Sequence, residues 1–119
     1  MTGRVFNSVI EVRQGDSFTL NIEVREDCKP VNLSGATLTM QVRDKDSGNL
    51  LFGVTGTPVD AANGKMALII TPAMTASQAV GDYVTDIQLT TADGSVNTIF
   101  PADVNKVATF RITPQVTEV

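Results

Sequence analysis

Residues 15–44 read GDSFTLNIEVREDCKPVNLSGATLTMQVRD, and they contain two segments in which apolar and polar side chains alternate. These segments are Ser17–Arg25 and Ala36–Arg43. Alternation with a period of two is typical of β-strands that bury one face. The connection between them contains Pro30 and Gly35, residues that favour turns and loops. The stretch therefore predicts a strand, a loop and a second strand.

The same alternation recurs along the rest of the chain between short clusters of Gly, Pro, Asn and Asp. The turn Gln14–Asp16 is predicted to reverse the chain before the strand Ser17–Arg25, and Pro58–Gly64 is predicted to be a turn. A Thr-Pro pair followed by alanines predicts a short helical turn near residues 72–80 that crosses between sheets. The further predicted strands are Val9–Arg13, Leu50–Thr55, Lys65–Thr71, Asp82–Thr91, Val96–Phe100 and Lys106–Thr113.

About eight short strands with turns every 8 to 12 residues are typical of an antiparallel β-sandwich. The sequence therefore predicts an all-β fold of about 7–9 strands with hardly any helix. A small closed barrel is the main alternative, because sequence pattern separates the two poorly. With 119 residues, the chain is expected to form a single domain from residue 1 to residue 119, with an N-terminal arm at 1–8 and a C-terminal tail at 114–119.

Charge and hydropathy disfavour two classes of partner. The net charge is -4, and the nine basic residues are scattered along the sequence. Phosphate binding usually needs a concentrated basic face, so no nucleic-acid partner is expected. The longest apolar run, Ala67–Ile70, is far shorter than a membrane span, and the N-terminal residues lack a long apolar signal core. We therefore expect no membrane association, and synthesis in the cytoplasm.

The residue types needed for most enzyme chemistry are missing or dispersed. The chain has no His and one Cys, which excludes His-based triads and an internal disulfide. Asp44, Asp46 and Asn49 resemble the start of a calcium loop, but position 55 is Thr where such a loop needs a bidentate Glu. We interpret these residues as a hairpin turn. The sequence predicts no enzyme, no catalytic or metal-ligating residue and no cofactor.

The remaining surface is better suited to contacts with other proteins. Strand edges carry unpaired backbone donors and acceptors, and threonine-rich faces can pack against a neighbour. These faces comprise Thr37, Thr39, Thr85, Thr90 and Thr91. Phe6 on the N-terminal arm and Val116 on the C-terminal tail are candidates to lie across another subunit. The candidate interface residues are therefore Phe6, Thr37, Thr39 and Val116.

Several short motifs occur in an order shared with one known family. They are Gly15-Asp16, Pro30-Val31-Asn32-Leu33-Ser34-Gly35-Ala36, Met40-Gln41-Val42-Arg43-Asp44, Asp60-Ala61-Ala62-Asn63-Gly64-Lys65, Gly81-Asp82-Tyr83 and Asp93-Gly94. In this order they resemble the N-terminal immunoglobulin-like domain of phage upper baseplate proteins. The resemblance covers roughly residues 9–112, and it implies an immunoglobulin-like antiparallel β-sandwich.

The resemblance also implies a function. It points to a non-enzymatic structural protein of a phage or prophage virion, a tail, baseplate or head-surface component that is made in the host cytoplasm. The implied partners are other virion proteins, namely tail, baseplate or capsid subunits, and a homo-oligomer is possible. A carbohydrate-binding or adhesion module is the alternative, although the sequence has no Trp and only six aromatic residues in all, five Phe and one Tyr.

Overall fold

A computed structural model describes residues 3–6, 8–101 and 108–114 of the chain. Within these ranges the chain forms twelve strands, one short α-helix and one 3₁₀ turn. The strands are β1 Gly3–Phe6, β2 Val9–Arg13, β3 Phe18–Glu23, β4 Arg25–Glu26, β5 Lys29–Pro30, β6 Thr37–Arg43, β7 Leu50–Thr55, β8 Thr57–Asp60, β9 Lys65–Ile70, β10 Gly81–Thr90, β11 Val96–Phe100 and β12 Ala108–Thr113. The 3₁₀ turn is Ala61–Asn63, and helix α1 is Pro72–Ala76.

The strands form two facing sheets and a small ribbon. The large sheet has the order β1-β2-β12-β10-β6-β7. β11 pairs with residues 87–90 of β10, and β12 pairs with residues 81–85 of the same strand. The small sheet has the order β3-β9-β8, and β4 and β5 form a separate two-stranded ribbon. The inner faces of the two sheets enclose one apolar core. The predicted all-β sandwich is confirmed.

The core consists of the alternating apolar side chains that the sequence pattern placed on one face of each strand. Both sheets contribute side chains that are fully buried. On β10 the inward residues Tyr83, Ile87 and Leu89 are buried or half-buried, as predicted. The ring of Phe110 meets the ring of Phe52 edge to face, with centroids 5.5 Å apart. Residues with no exposed surface include Ile10, Val12, Leu38, Met40, Val42, Leu68, Ile70 and Phe110.

The two strands of the opening stretch lie in different sheets. β3 belongs to the small sheet and β6 to the large one. The turn Gln14–Asp16 does not fold β3 back onto β2 as a hairpin, because it carries the chain from the large sheet to the small sheet. The loop after β3 contains the β4–β5 ribbon, whose two-residue turn has positive φ at Asp27 (52°) and Cys28 (64°). Positive φ at both central residues is the geometry of a type I′ turn.

Three features of the sheets were not predicted from the sequence. The N-terminal arm contributes strand β1, which pairs antiparallel with β2. β2 in turn pairs parallel with β12, whereas all the other strand pairs described are antiparallel. Residues 58–60, predicted as part of the turn Pro58–Gly64, belong to strand β8. Pro58 is tolerated there because β8 is an edge strand, where a missing N–H costs no ladder hydrogen bond.

Helix α1 lies in the connection from β9 to β10, which passes between the two sheets. Hydrogen bonds join it to the connection from β2 to β3 at the same end of the sandwich. Pro72 occupies its first turn, as predicted, and the helix ends at Ala76. The hydroxyl of Thr75 is fully buried and accepts a hydrogen bond from the backbone N–H of Gly15 at 2.9 Å. The side-chain amide of Gln14 donates to the carbonyl of Gln78 at 2.6 Å. These bonds hold the β2–β3 crossing against the β9–β10 crossing.

Gly64 stands where three backbone segments meet. Its φ is +76°, and a Cβ on it would lie 2.5 Å from the carbonyl oxygen of Val24 and 2.9 Å from that of Val31. The Gly64 carbonyl also accepts the N–H of Val24 at 2.8 Å. The position therefore needs both a left-handed backbone and the absence of a side chain.

We predict that Gly64→Ala strongly lowers the free energy of unfolding. The left-handed backbone alone costs about 1–2 kcal/mol for a residue with a Cβ, and the backbone clash adds to it. Gly48→Ala is the matched control, because Gly48 has φ +75° but open space around the added Cβ. Urea denaturation of both variants tests this. Equal losses for the two substitutions would contradict the packing described at Gly64.

We predict that Thr75→Val destabilises the fold by about 1–3 kcal/mol, because it leaves the Gly15 N–H without its partner. Thr75→Ser keeps the hydroxyl and is expected to lose less, through the missing methyl group alone. Thermal or urea denaturation compares the two. A serine variant as unstable as the valine variant would show that the hydrogen bond is not what the site requires.

Candidate interaction surface

Of the four residues predicted to form an interface, Thr37 and Thr39 have described side chains. Thr37 and Thr39 lie on β6, near one edge of the large sheet. Phe6 lies in β1 at the opposite edge, and its side chain is outside the described part of the structure, as is all of Val116. Strands β2, β12 and β10 separate β1 from β6, a distance of roughly 19 Å at the usual strand spacing.

Thr37 and Thr39 face away from the core, on a surface that we call the outer face. It consists of the outward side chains of β6 and β10, which the antiparallel register places opposite one another. Thr37 is exposed and Thr39 is half-buried. The facing pairs are Thr37 with Thr90, Thr39 with Gln88, Gln41 with Asp86 and Arg43 with Val84. The outer face is therefore mainly uncharged and polar.

Thr85, which the sequence analysis assigned to a threonine-rich surface, is buried instead. It alternates with Asp86 along β10 and so falls on the core side, 5% exposed. Its hydroxyl donates to the carbonyl of Gln41 at 2.7 Å, which satisfies the polar group inside the sheet. The period-two pattern alone places Thr85 with Ile87, and hence inside.

A shallow depression of about 240 Å³ lies on the outer face between β6 and β10. Thr39, Gln41, Val84 and Gln88 are among the residues that line it. The charged residues Arg43 and Asp86 also line it. The guanidinium of Arg43 donates to the carbonyl of Gly48 and to the side-chain oxygen of Gln41, both at 3.0 Å. Hydroxyl and amide groups in the depression are thus available to hydrogen-bond a protein neighbour.

A ladder of ion pairs crosses the same side of the sheet. The Arg111 Nε lies 2.8 Å from Oδ1 of Asp82, and its Nη2 lies 3.4 Å from Oδ2. The Nη1 of Arg111 lies 3.6 Å from the carboxylate of Glu11. These three residues belong to β12, β10 and β2. The hydrogen bond from Arg111 lowers the pKa of Asp82, and Asp82 in turn raises the pKa of Arg111.

The acidic turn after β6 is explained by backbone hydrogen bonds. The Oδ1 of Asp44 accepts the N–H of Asp46 at 2.8 Å and that of Ser47 at 3.0 Å. These bonds lower the pKa of Asp44, that from Ser47 most. The turn joins β6 and β7 as a hairpin, as predicted. Among the described residues, no group of three or more Cys, Asp or Glu side chains is placed to hold a metal ion.

The Arg111 ladder is the part of this surface that sequence reasoning missed. Asp82 and Arg111 are 29 positions apart, and only the register of β10 against β12 places them opposite each other. Both residues occupy outward positions of their alternating strands, which was the one available signal.

Helix α1, the single α-helix in the described ranges, is too short to cross a membrane.

Comparison with known proteins identifies one family model that matches this chain. It is described as the BppU N-terminal domain, and it matches residues 2–100. The matched region includes the outer-face residues of β6 and β10 but not β12. No match is found among curated proteins.

Three solved structures are similar to this chain at low sequence identity. The N-terminal domain of phage TP901-1 ORF48 is 17% identical, with a TM-score of 0.52 over 91% of this chain and 85% of that one. CopC from Methylosinus trichosporium OB3b is 14% identical, with a TM-score of 0.48 over 92% and 87%. Murine CRIg is 10% identical, with a TM-score of 0.42 over 97% and 98%. The latter two are too remote to bear on function.

We predict that Arg111→Gln raises the pKa of Asp82 toward its ordinary value near 3.8, because the guanidinium that stabilises the carboxylate is removed. A carboxyl-detected NMR titration measures this. The carboxyl of Asp93 is the internal control, since its pKa is lowered mainly by the Thr91 hydroxyl. An unchanged Asp82 titration would show that the ion pair does not form in solution.

The same pair gives the sign of one pH effect. The pKa of Asp82 is lower in the folded chain than in the unfolded chain. The pair therefore stabilises the fold above the ordinary aspartate pKa, and this contribution is lost as the pH falls through the lowered value.

Proposed function

The chain belongs to the family of the BppU N-terminal domain, a structural domain of the phage baseplate, and from this we propose that it docks virion subunits to one another without catalysing a reaction. It is a structural protein of a phage or prophage particle. The tail or baseplate is the placement we propose first, and the head surface second. Synthesis in the host cytoplasm precedes assembly.

One observation carries this proposal. The family model matches residues 2–100, most of the chain, and the matched residues fold as a β-sandwich like that of the N-terminal domain of phage TP901-1 ORF48. A match of this extent includes strands from both sheets and the loops between them. The match therefore spans most of the sandwich, up to β11, and is not limited to an isolated motif.

We propose the outer face as the docking surface. It presents side chains that hydrogen-bond without carrying charge, such as Thr37, Thr39 and Gln88, on a rigid pair of strands. A partner surface of similar polarity can pair with these uncharged groups, and a contact that leaves Arg43 and Asp86 hydrated avoids the cost of burying an ion. The partners in this proposal are tail, baseplate or capsid subunits. We extend the contact to Phe6 and Val116, whose side chains lie outside the described part of the structure.

The outer face is only two strands wide, whereas a stable protein interface usually buries about 800 Å² on each partner. In a particle, however, many copies are held together by several contacts at once. Linking weak contacts in this way raises the overall avidity by about 10²–10⁴ without any new contact. A modest docking surface on a single 119-residue domain is therefore compatible with a stable place in a virion.

The carbohydrate-binding alternative gains no support from the described side chains. Sugar platforms usually stack on exposed aromatic rings, and all the aromatic side chains described are buried or half-buried. The hydroxyl of Tyr83 donates to the carbonyl of Ala79 at 2.6 Å, which fixes that ring at the protein surface. We therefore do not propose glycan binding.

We predict that the chain is present in purified virions and that a bulky charge on the outer face weakens its incorporation. Gln88→Arg places a guanidinium beside the depression and is expected to reduce binding to the recombinant partner subunit by about tenfold or more. Thr19→Arg is the control, because Thr19 is exposed on the small sheet. Mass spectrometry of purified particles identifies the chain, and calorimetry measures the affinity.

Two results would contradict this proposal. Absence of the chain from purified particles would remove the virion role. Equal losses for Gln88→Arg and Thr19→Arg would keep the role but remove the outer face as its docking surface. Retention on a glycan array by a chain absent from particles would favour the adhesion alternative.

A further inference from the structure

The free strand edges of the two sheets differ in how well they are protected against pairing. Natural proteins block such edges with charged residues, with proline or with bulges, because an unpaired edge is a template for another strand. Arg4 lies in β1, Glu23 in β3, and both Pro58 and Asp60 in β8. Each of these edge strands therefore carries at least one blocking residue.

β7 is different. Its sequence LLFGVT contains no charged residue and no proline, and it forms the end of the large sheet beside β6. Its register against β6 is regular from Phe52 to Thr55 and shifts at Leu51, so that Leu50 lies opposite Arg43. β11 also lacks charge, but its register on β10 is broken before Phe100, and Pro101 follows directly. Both strands thus have one register shift, but the regular run of β7, Phe52–Thr55, is longer than that of β11, Val96–Thr98.

The side chains along β7 also favour a neighbour. Leu50 is 50% exposed, one of the large apolar side chains left open to solvent. Phe52 is half-buried beside the core, while Gly53 and Thr55 are exposed on the outer side. A strand added to this edge would cover Phe52 on the core side and Leu50, Gly53 and Thr55 on the outer side, where Leu50 lies opposite Arg43.

We propose that the β7 edge pairs with the β7 edge of a second copy of this chain, antiparallel and about a two-fold axis. Antiparallel self-pairing about a two-fold axis puts two copies of each edge residue into one short ladder, so a charge near the axis lies close to a like charge. β7 carries no charge, whereas self-pairing of β1, β3 or β8 would bring two copies of Arg4, Glu23 or Asp60 into one short ladder. β7 is therefore the edge strand best suited to pair with a second copy of itself.

The pairing joins two large sheets into one continuous sheet. The regular run Phe52–Thr55 spans about 13 Å, enough for a short ladder but a small contact area. The net charge of -4 on each copy opposes association, so the dimer is expected to be weak for the free chain. The role of this dimer rests on the virion function proposed above. A weak dimer becomes effective where many copies are held together in one particle.

The experiment is sedimentation equilibrium of the full chain at concentrations up to about 1 mM, a range in which weak interfaces are measurable. The unmodified chain is expected to form a concentration-dependent dimer. Gly53→Lys places an ammonium at the middle of the edge of each copy and is expected to raise the dimer Kd by about tenfold or more. A Cβ on Gly53 meets its nearest atom, the carbonyl oxygen of Met40, at 3.6 Å, an ordinary contact, so the fold accommodates the side chain.

Two controls separate charge from side-chain size and from general repulsion. Gly53→Thr adds an uncharged strand-forming residue and is expected to keep the dimer. Thr57→Lys adds the same charge to β8, an edge that is already blocked, and is also expected to keep it. Thr55→Lys is a second test of β7, since Thr55 is exposed, and is expected to weaken the dimer as Gly53→Lys does.

Two outcomes would overturn the proposal. One is a chain that stays monomeric over the whole concentration range. The other is a dimer that Gly53→Lys and Thr55→Lys leave as strong as before. Both are distinguishable from failure of the virion role, because they concern the isolated chain. A monomer that is still found in particles removes only the β7 pairing, and an edge-dependent dimer absent from particles removes only the virion role.

Discussion

The buried hydroxyl of Thr75 connects the two places where the chain passes between its sheets at one end of the sandwich. A sandwich is stable only when its two sheets keep a fixed relation, because their inner side chains share one core. The hydrogen bond from Gly15 N–H to Thr75 fixes this relation without any side chain from the core itself. At the other end of the sandwich, Gly64 allows the end of β3, the start of β9 and the loop containing Val31 to approach one another closely.

The strands were predictable because their physics is local. Alternation over five to ten residues records which face is buried, and the predicted bounds of β2, β7 and β11 match the structure. Strand partners were not predictable in this way, because register depends on residues far apart in the chain. The local alternation of apolar and polar residues does not indicate that β2 pairs with β12, or that the chain changes sheets at Gln14–Asp16. β8 was missed since Pro58 signals a turn until the strand is known to lie at an edge.

The candidate surface was predictable in part, for the same reason. Thr37 and Thr39 were placed on an outward face by alternation, and the structure shows what they face only through the register of β6 against β10. The ion pair of Arg111 with Asp82 depends on register alone. By contrast, the motif residues that carry the family resemblance serve the fold. Gly64 lies at a crowded left-handed position, and the side chain of Asn32 accepts the N–H of Ser34 at 2.9 Å. Such residues identify a family by architecture and leave function to the surfaces between them.

The parallel pair of β2 and β12 bears on how the chain reaches this structure. Val9 is paired with Thr109, so the ladder joins segments separated by nearly the whole chain. A contact this distant in sequence forms only after a large loop has closed, and folds dominated by such contacts reach the native state in milliseconds to seconds. During synthesis, β2 has to wait until β12 has left the ribosome. Ile10 and Val12, which are fully buried in the finished sheet, stay without their parallel neighbour until the last strand is made.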